Sequence, residues 1–462
     1  MRRARRRGKK KSRGGLFIGF FLLLLLVTAA FVYSFPQFER VAPTVITPSK
    51  IVVGKSAVIP LRVSDNQALK SLQLFLRAGN KEYKVVDYNF AKGIKSKELK
   101  VTLPKDIIAK GIKSWDYEII LHDSSLWGFF LGNSAVKNGK LIIDNTPPAV
   151  SLIAKSPTIL KGGSALVIYR VAEDNLKKSY IDIGEGIHFQ AIPYKKKGVY
   201  ATLIAWPFNQ EKFNPKIVAI DGANNIATVP LKIRHIVKRY KTSYIAARDR
   251  FIDGKITQLA SEDSDYASIT DRLKKFKAVN ELMRQKNEAL IHRYSKRVTP
   301  FKDKWDIRVF YPLHGAKRVS DFGVRRYYYY KKRENIVSTS FHVGYDFASV
   351  KHDKIYSSVT GKVVFAANNG IYGNMPLIDH GFGLYTLYGH CSKIFIKKGE
   401  SVNANQVIAQ TGKSGLALGD HLHFGILVQG IEVYPLEWMN KKWIKDYILA
   451  VFQKADTKLG YN

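Results

Sequence analysis

The stretch Asp420-His421-Leu422-His423-Phe424-Gly425 decides how the C-terminal part of this chain folds. The apolar run 426–428 follows it, and a short apolar segment of this kind predicts a buried β-strand. Because alternate residues of a strand face the same side, we expect His421 and His423 to enter one pocket together. One imidazole can then bind a metal while the other moves protons beside it. Two core histidines satisfied by hydrogen bonds are the alternative, so the rest of the chain must decide.

Further candidates for the same pocket precede this stretch. His342 and Asp346 would lie about 13 Å apart on a straight strand, too far to share a metal whose ligand bonds are about 2 Å. Gly344 between them permits a sharp bend that brings both inward. An ordinary surface turn is the other interpretation of this segment. Two histidines and one carboxylate leave a fourth coordination position open, as in catalytic zinc sites. The chain has no His-Glu-x-x-His motif, which excludes a helix-borne zincin site.

Several motifs occur in a characteristic order. They are Asp321-Phe-Gly-Val-Arg325, His342-Val-Gly-Tyr-Asp346, Leu387-Tyr-Gly-His390 and His421-Leu-His423. In this order they resemble the M23 (LytM-type, lysostaphin-like) zinc metallopeptidases of bacterial cell walls, over roughly residues 305–440. The resemblance implies a β-rich peptidase domain that binds Zn²⁺ through His342, Asp346 and His423. It also implies that His390 and His421 are the catalytic histidines, and it adds no other cofactor-binding residue.

The chemistry that the resemblance implies is self-consistent. A catalytic zinc lowers the pKa of its bound water to about 7 and polarises the scissile carbonyl. Two imidazoles that are not ligands can relay a proton and hydrogen-bond the oxyanion, and the sequence leaves open which one is the base. Tyr327–Tyr330 and the following basic residues are an insertion, either a surface hairpin or part of a substrate groove. Cys391, the single cysteine, is expected to be a small core residue, and His380 is expected to have a structural role.

The N-terminus predicts a membrane anchor. Nine Lys and Arg residues and no acidic residue lie within residues 1–15, and Leu16–Phe35 is an uncharged run of twenty residues. That run has about the length needed to span a bilayer, and the basic arm predicts that residues 1–15 stay in the cytoplasm. A cleaved signal peptide is the alternative. The run is long for a signal peptide and no clear Ala-x-Ala site follows it, which favours an uncleaved anchor.

The middle of the chain predicts two small β-sandwiches and a helical connector. Residues 49–240 contain short β-rich runs, and Gly54, Val58-Ile59 and Asp65-Asn66 recur at a constant offset after Pro147-Pro148. Neither half contains a catalytic constellation, so a spacer role is favoured. In residues 244–298, apolar residues fall near heptad spacing, but Asn280 and Asn287 interrupt the stripe. A helix packed on a neighbouring domain is therefore favoured over a long coiled coil.

These observations predict a mostly β protein with one N-terminal transmembrane helix. The predicted segments are a basic cytoplasmic arm (1–15), a transmembrane anchor (16–35), two β-sandwich-like domains (36–146 and 147–240), a helical connector (241–299) and an M23-type zinc peptidase domain (300–445).

The predicted function is that of a peptidoglycan endopeptidase anchored in the cytoplasmic membrane, with its folded domains exported. It would hydrolyse peptide bonds in wall stem peptides or cross-links. A catalytically silent wall-binding regulator of another hydrolase is the alternative. The net charge of +38 suits anionic lipid or wall polymers, whereas nucleic-acid binding conflicts with export and has no supporting motif. The expected partners are thus peptidoglycan and the membrane, not nucleic acid, and the sequence leaves the oligomeric state open.

Overall fold

The computed structural model describes residues 14–54, 57–301 and 305–461. Strands make up 42% and helices 21% of the structure, which confirms the mostly β fold class. Two compact units are present. The first contains the described residues up to Pro147 and the short segment Gly222–Asn225, and the second contains Pro148–Asp221 and the residues from Ile226 onward. The predicted basic arm lies outside the described residues apart from its last two glycines.

The first unit begins with the apolar helix. Helix α1 spans Gly14–Ser34, which is 21 residues and about 30 Å, close to the thickness of a bilayer core. From Phe17 to Ser34 its side chains carry no charge, and none is buried against the rest of the described chain. A helix satisfies its backbone groups internally, so this segment can be stable in lipid. The length and composition fit a membrane span and also fit a signal sequence.

Two sheets, whose strands pair mostly in the antiparallel direction, complete the first unit. Its strands are β1 (Thr44–Ile46), β2 (Lys50–Val53), β3 (Val58–Ser64), β4 (Leu69–Ala78), β5 (Lys81–Asn89), β6 (Ser96–Thr102), β7 (Ser114–Asp123) and β8 (Ser134–Ile143), and a short helix, α2, spans Lys105–Ala109. The sheet orders are β1-β3-β6 and β2-β8-β7-β4-β5. Alternating residues such as Ile59, Leu74 and Ile119 are buried between the sheets, as the period-two pattern of these strands requires.

The second unit begins with another pair of sheets. Its first strands are β9 (Ala149–Lys155), β10 (Thr158–Leu160), β11 (Ser164–Ala172), β12 (Leu176–Asp182), β13 (His188–Gln190), β14 (Ile192–Pro193), β15 (Val199–Ala205), β16 (Lys216–Asp221), β17 (Ile226–Pro230) and β18 (Arg234–Ile236). The main sheets have the orders β14-β15-β11-β9 and β13-β12-β16-β17. Both halves of the predicted repeat therefore form two-sheet arrangements, although the domain boundaries that we assigned stay predictions.

The segment between these sheets and the C-terminal region consists of one strand and several short helices. They are β19 (Thr242–Ala246), α3 (Asp249–Phe251), α4 (Thr257–Ser261), α5 (Ser264–Ala267), α6 (Arg272–Lys277) and α7 (Arg284–Ser295), with π-helical turns at Ile252–Ile256 and Ala278–Met283. The buried face of this segment packs in one cluster with Tyr372, Leu377 and Leu427 of the C-terminal region. The helices are therefore packed against a neighbouring sheet and do not extend as a coiled coil.

The C-terminal region is built around one large sheet. Its elements are β20 (Lys317–Ser320), β21 (Val324–Tyr329), β22 (Ile336–His342), β23 (Tyr345–Ala348), β24 (Lys354–Ser357), β25 (Gly361–Asn368), β26 (Asn374–Asp379), β27 (Leu384–Gly389), β28 (Lys393–Ile394), β29 (Ser401–Val402), β30 (Gln406–Gln410), β31 (Leu422–Val428), β32 (Ile431–Val433), α8 (Pro435–Trp438), α9 (Lys441–Trp443) and α10 (Ala450–Leu459). The sheet runs β20-β23-β31-β27-β26-β25-β29, with β32 beside β31. The strand predicted after His421 is β31, and all seven of its residues are buried.

A buried carboxyl group ties the β9–β18 region to the C-terminal region. Glu437 on α8 accepts hydrogen bonds from the backbone N–H of Ser164 at 2.9 Å and from its hydroxyl at 3.3 Å. Gly163 makes room for it, because a Cβ there would lie 2.4 Å from a Glu437 oxygen. Burial raises the pKa of Glu437 from 4.5 to about 8. The carboxyl group is therefore neutral in the folded protein at moderately acidic pH.

The raised pKa of Glu437 predicts that the free energy of unfolding depends on pH. As the pH rises, the unfolded chain loses the Glu437 proton near pH 4.5 while the folded chain keeps it until about pH 8. The contribution to stability is therefore complete below pH 4.5 and is lost as the pH rises to about 8, at about 1.4 kcal/mol per unit of pKa shift, or up to about 5 kcal/mol. Glu437→Gln should become progressively more stable than the parent protein between these limits. Denaturant unfolding at several pH values measures this, with the exposed Glu185→Gln as control. A stability difference that does not change with pH would contradict the assignment.

Candidate metal centre and groove

Four of the five predicted site residues lie at or next to the ends of three adjacent strands. In the ladder, His423 on β31 pairs with Asp346 on β23 on one side and with Gly389 on β27 on the other. His390 directly follows β27, and His421 directly precedes β31, where its backbone N–H bonds to the Gly412 carbonyl. The antiparallel register therefore brings together residues that are far apart in the sequence.

His342 and Asp346 meet because the chain changes sheets between them. His342 ends β22, which pairs with β21, and Tyr345 begins β23 in the large sheet. Gly344 lies at this bend against the imidazole of His423, and a Cβ there would be 2.7 Å from His423 Nε2. The glycine is thus needed for close approach to the His423 ring, in addition to the bend that the sequence predicted.

Three electron-donating atoms converge at this point. His342 Nε2 lies 2.9 Å from Asp346 Oδ1 and 3.0 Å from His423 Nδ1, and His423 Nδ1 lies 2.9 Å from Asp346 Oδ1. All three residues are buried, with relative exposures of 5%, 8% and 5% for His342, Asp346 and His423. Two nitrogens and one carboxylate oxygen are ligands that zinc prefers.

The hydrogen bonds around the cluster fit a metal ion. His342 Nδ1 lies 2.7 Å from the carbonyl oxygen of Asp321, which can only accept, so Nδ1 carries the proton and Nε2 presents a lone pair. A neutral His342 therefore has no proton to place between Nε2 and the Asp346 carboxylate. A cation bound by His342, Asp346 and His423 would satisfy all three groups at once.

The two remaining histidines lie beside this cluster. Their rings are 4.8 Å apart between centroids, and the His390 ring is 5.8 Å from that of His423. His390 Nδ1 donates to the Ser414 carbonyl at 2.8 Å, and His421 Nδ1 donates to the Gly419 carbonyl at 2.8 Å. These bonds leave both Nε2 atoms available to a substrate, and His421 Nε2 lies 3.7 Å from Asp346 Oδ1. His390 adopts a left-handed backbone conformation, with φ of 65°.

Burial and charge set the protonation of these groups. Burial lowers the pKa of His342 to about 4. Burial and the neighbouring His421 and His423 imidazoles hold the pKa of His390 well below its ordinary value. Burial alone would raise the pKa of Asp346, but its interactions with His342 and His423 hold it well below the ordinary range. At neutral pH the site therefore contains an ionised Asp346 carboxylate together with the neutral imidazoles of His342 and His390.

The cluster lies in a groove with a volume of about 960 Å³. One wall is formed by the C-terminal region and includes Arg326, Tyr328 and the exposed Leu418. A second part of the lining comes from β19, which pairs with β21, and from the short helices, and it includes Tyr244, Arg248, Phe276, Asn280 and Arg284. The sequence did not identify this second part of the lining, because no motif marks it and the tertiary packing alone brings it to the histidines.

Tyr372 connects the helical segment to the metal cluster. Its ring contacts that of His423 at a centroid distance of 5.6 Å, and its carbonyl accepts the backbone N–H of His390 at 2.8 Å. Its hydroxyl donates to Glu288 on α7 at 3.3 Å. Burial raises the pKa of Glu288 to about 7. Tyr372 therefore contacts both His423, a predicted metal ligand, and His390, a predicted catalytic histidine. The sequence offered no signal for Tyr372 beyond its neighbouring glycines.

The structure also locates the other residues that the sequence singled out. Tyr327–Tyr330 lie on and just after β21 of a hairpin, as one interpretation expected, and Tyr328 and Tyr329 also line the groove. Cys391 is fully buried, as a core residue would be. His380 is buried with Nδ1 near the Thr360 carbonyl and Nε2 near the Thr386 hydroxyl, which satisfies both ring nitrogens.

Comparison with known sequences identifies the family. The profile described as Peptidase family M23 matches residues 340–435, which contain His342, Asp346, His390, His421 and His423. The sequence named Lipoprotein NlpD from Yersinia enterocolitica is 33% identical over 98 residues, which are 21% of this chain and 100% of that sequence. The chain belongs to peptidase family M23.

Other M23 relatives match the same region. Peptidoglycan DD-endopeptidase ShyA of Vibrio cholerae is 37% identical over 128 residues, which are 28% of this chain and 29% of ShyA. The chain thus spans less than a third of the length of this relative. The crystal structure of the catalytic domain of the antimicrobial peptidase lysostaphin from Staphylococcus simulans is 26% identical and covers 28% of this chain and 94% of that domain, with a TM-score of 0.23.

The contact of Gly344 with His423 predicts the effect of one added methyl group. Gly344→Ala should push the His423 ring away from the cluster and weaken Zn²⁺ affinity by about 10- to 100-fold, as for other groups that orient metal ligands. Competition with a chromogenic chelator measures the affinity. Gly419→Ala is the matched control, because Gly419 also lines the groove and a Cβ there would meet no atom of the described residues within 4 Å. Equal Zn²⁺ affinity in the two variants would contradict the role of Gly344.

Proposed function

We propose that this protein is a membrane-anchored zinc endopeptidase that hydrolyses peptide bonds in the stem peptides or cross-links of peptidoglycan. The observation that carries the proposal is the convergence of His342 Nε2, Asp346 Oδ1 and His423 Nδ1 within 3.0 Å of one another. His390 and His421 lie beside these atoms in the same groove. Ligands for a metal and two further imidazoles are the groups that metal-assisted hydrolysis of an amide needs.

The proposed metal ligands are His342, Asp346 and His423. Bound there, Zn²⁺ would supply an activated water and a Lewis acid for the scissile carbonyl. Asp321 and Ser320 support this assignment, because the Asp321 carbonyl and the Ser320 hydroxyl lie 2.7 and 3.2 Å from His342 Nδ1 and hold the ring in the required tautomer.

His390 and His421 are proposed to move protons and to bind the developing oxyanion. Each ring is anchored through Nδ1 to a backbone carbonyl, so its Nε2 can accept a proton or donate one after protonation. Their rings are 4.8 Å apart, so one can accept a proton while the other hydrogen-bonds the substrate. This geometry is compatible with either histidine as the base.

The groove supports a peptide substrate that carries carboxylates. Arg248, Arg284 and Arg326 line it, and stem peptides of peptidoglycan contain free carboxylate groups. Arg326 Nη2 donates to the Ser320 hydroxyl at 2.8 Å and lies 3.6 Å from Asp346 Oδ2. The positive charge of Arg326 is therefore close to the proposed metal ligands. The name of ShyA, peptidoglycan DD-endopeptidase, supports the same substrate class.

The anchor is proposed to be helix α1. None of its residues from Phe17 to Ser34 is buried in the described structure, and the basic arm before it favours retention of residues 1–15 in the cytoplasm. The folded units would then lie on the periplasmic or wall side of the cytoplasmic membrane, where peptidoglycan is found.

The proposal predicts two kinds of histidine variants. Variants that lack one proposed metal ligand should lose most bound zinc and all activity, because the ligand set is then incomplete. They are His423→Ala, His342→Ala and Asp346→Ala. His390→Ala and His421→Ala should keep zinc and lose about 10²- to 10⁴-fold in rate, the usual cost of removing one general acid–base group. The full chain in detergent is analysed for zinc by mass spectrometry and for cleavage by mass analysis of digested peptidoglycan.

His188→Ala is the control for these variants, because His188 is exposed on β13 and does not line the groove. Loss of zinc from His421→Ala with retention in His423→Ala would reverse the two roles. A parent protein that binds zinc stoichiometrically but releases no product from any peptidoglycan would reject the enzyme and favour the silent wall-binding regulator.

The anchor is tested by following the N-terminus. The expected product in a bacterial host is an intact chain of 52.3 kDa that resists alkaline extraction from membranes and is digested by protease added to intact spheroplasts. A soluble mature form that starts near residue 35 would show that α1 is a cleaved signal peptide instead.

A further inference from the structure

The first unit carries an exposed apolar loop that the proposed enzymatic function does not use. Phe129, Phe130 and Leu131 follow one another in the loop between β7 and β8, with relative exposures of 96%, 67% and 73%. Single exposed apolar residues are common on protein surfaces, but three large neighbouring ones indicate a surface that contacts protein or lipid.

The loop is held in a defined shape. Asp123, which is fully buried, accepts hydrogen bonds through Oδ1 from the backbone N–H of Ser125 at 3.0 Å and from that of Asn133 at 2.8 Å. These bonds join the two ends of the loop. Phe129 and Phe130 both adopt left-handed conformations, with φ of 57° and 68°, which residues other than glycine tolerate only at a cost. The structure therefore maintains the exposure of these side chains.

The loop is fastened to the chain just after α1. The backbone N–H of Leu126 donates to the Gln37 carbonyl at 2.6 Å, and the Ser125 hydroxyl donates to the Glu39 carbonyl at 2.7 Å. Gln37 is three residues beyond Ser34, the end of α1. Because consecutive Cα atoms are about 3.8 Å apart, the fastening point lies within about 11 Å of the helix end.

Side chains join the loop to the helix end directly. The guanidinium of Arg40 lies 4.5 Å from the ring centre of Tyr33, in the last turn of α1, and 4.1 Å from that of Trp127, in the loop. Phe38 and Phe130 are 6.4 Å apart between ring centres. Tyr, Trp and Arg in this arrangement are typical of the boundary between lipid and water, where an aromatic ring faces the acyl chains and a polar group faces the headgroups.

We propose that residues 126–131 insert into the headgroup region on the outer face of the same bilayer that α1 spans. The partner is a lipid surface, and the inference rests on the proposed anchoring by α1. The loop gives the first unit a second attachment point, which would limit its rotation about the helix axis. An aromatic cluster that contacted only wall components would not need contacts with the end of α1.

The experiment uses the full chain in vesicles of phosphatidylethanolamine and phosphatidylglycerol. Phe129→Cys and, separately, Leu131→Cys are labelled with a nitrobenzoxadiazole fluorophore. The native Cys391 is buried, so the labelled parent protein measures background. Asn80→Cys is the matched control, because Asn80 is exposed in the β4–β5 turn. Leu69 pairs with Asp123 at the loop end of β4, so this turn is about 30 Å away along the strand.

The expected result is blue-shifted emission at positions 129 and 131, quenched several-fold by lipids that carry a nitroxide near the glycerol backbone, with water-like and unquenched emission at position 80. Water-like emission at 129 and 131 in protein that floats with the vesicles would overturn the loop inference while leaving the anchor intact. Blue-shifted emission without quenching would also overturn it, because protein rather than lipid would then cover the loop. Protein that does not float would reject the anchor itself.

Discussion

The arrangement of His342 Nε2, Asp346 Oδ1 and His423 Nδ1 is the constraint on which the C-terminal region depends. Three electron-donating atoms within 3.0 Å of one another are unfavourable in a buried site, since a proton can serve only one pair of them. The fold must hold them there, and the proposed cation would relieve the conflict among them. It does so with backbone: adjacent strands fix the positions of Asp346 and His423, and a carbonyl fixes the tautomer of His342.

The groove around this cluster is assembled from two distant parts of the chain. Asn280 and Asn287, which interrupt the apolar stripe of the helical segment, are buried and bond to the C-terminal region. Asn280 donates to the Ser338 hydroxyl at 2.8 Å, and Asn287 Oδ1 accepts the backbone N–H of Ile371 at 2.9 Å. These amides fix the helices against β22 and against the turn Gly370–Tyr372. The two asparagines that interrupt the apolar stripe therefore hold this part of the groove in place.

Buried and partly buried polar contacts link the stability of the second unit to the same region. Ser164 and Glu437 join the β9–β18 sheets to α8. Farther along, Tyr194 donates to Asp456 at 2.7 Å and Lys458 donates to the Ile153 carbonyl at 2.7 Å, and both contacts involve α10. The C-terminal helix, which no sequence pattern marked, therefore closes one continuous core that includes Trp206, Trp305 and Trp438. The second unit is thus one packed body in which the site is embedded.

The sequence predicted the features that depend on residues close together in the chain, and it missed those that depend on contacts between distant residues. Local pattern was enough for the mostly β fold, the apolar helix α1, the strand after His421 and the motif residues, because hydrophobic period and glycine positions are local properties. His421 and His423 could be chosen from the strand pattern, and His342 and Asp346 from the glycine between them. The resemblance to the M23 family added His390 and the roles of all five residues. The carbonyl partners of their imidazoles, the role of Gly344 against His423 and the part of the groove lined by β19 and the helices could not be predicted. Each of these depends on which strands become neighbours and on which helix covers them, and those contacts are decided by the burial of the whole core rather than by any short stretch of sequence.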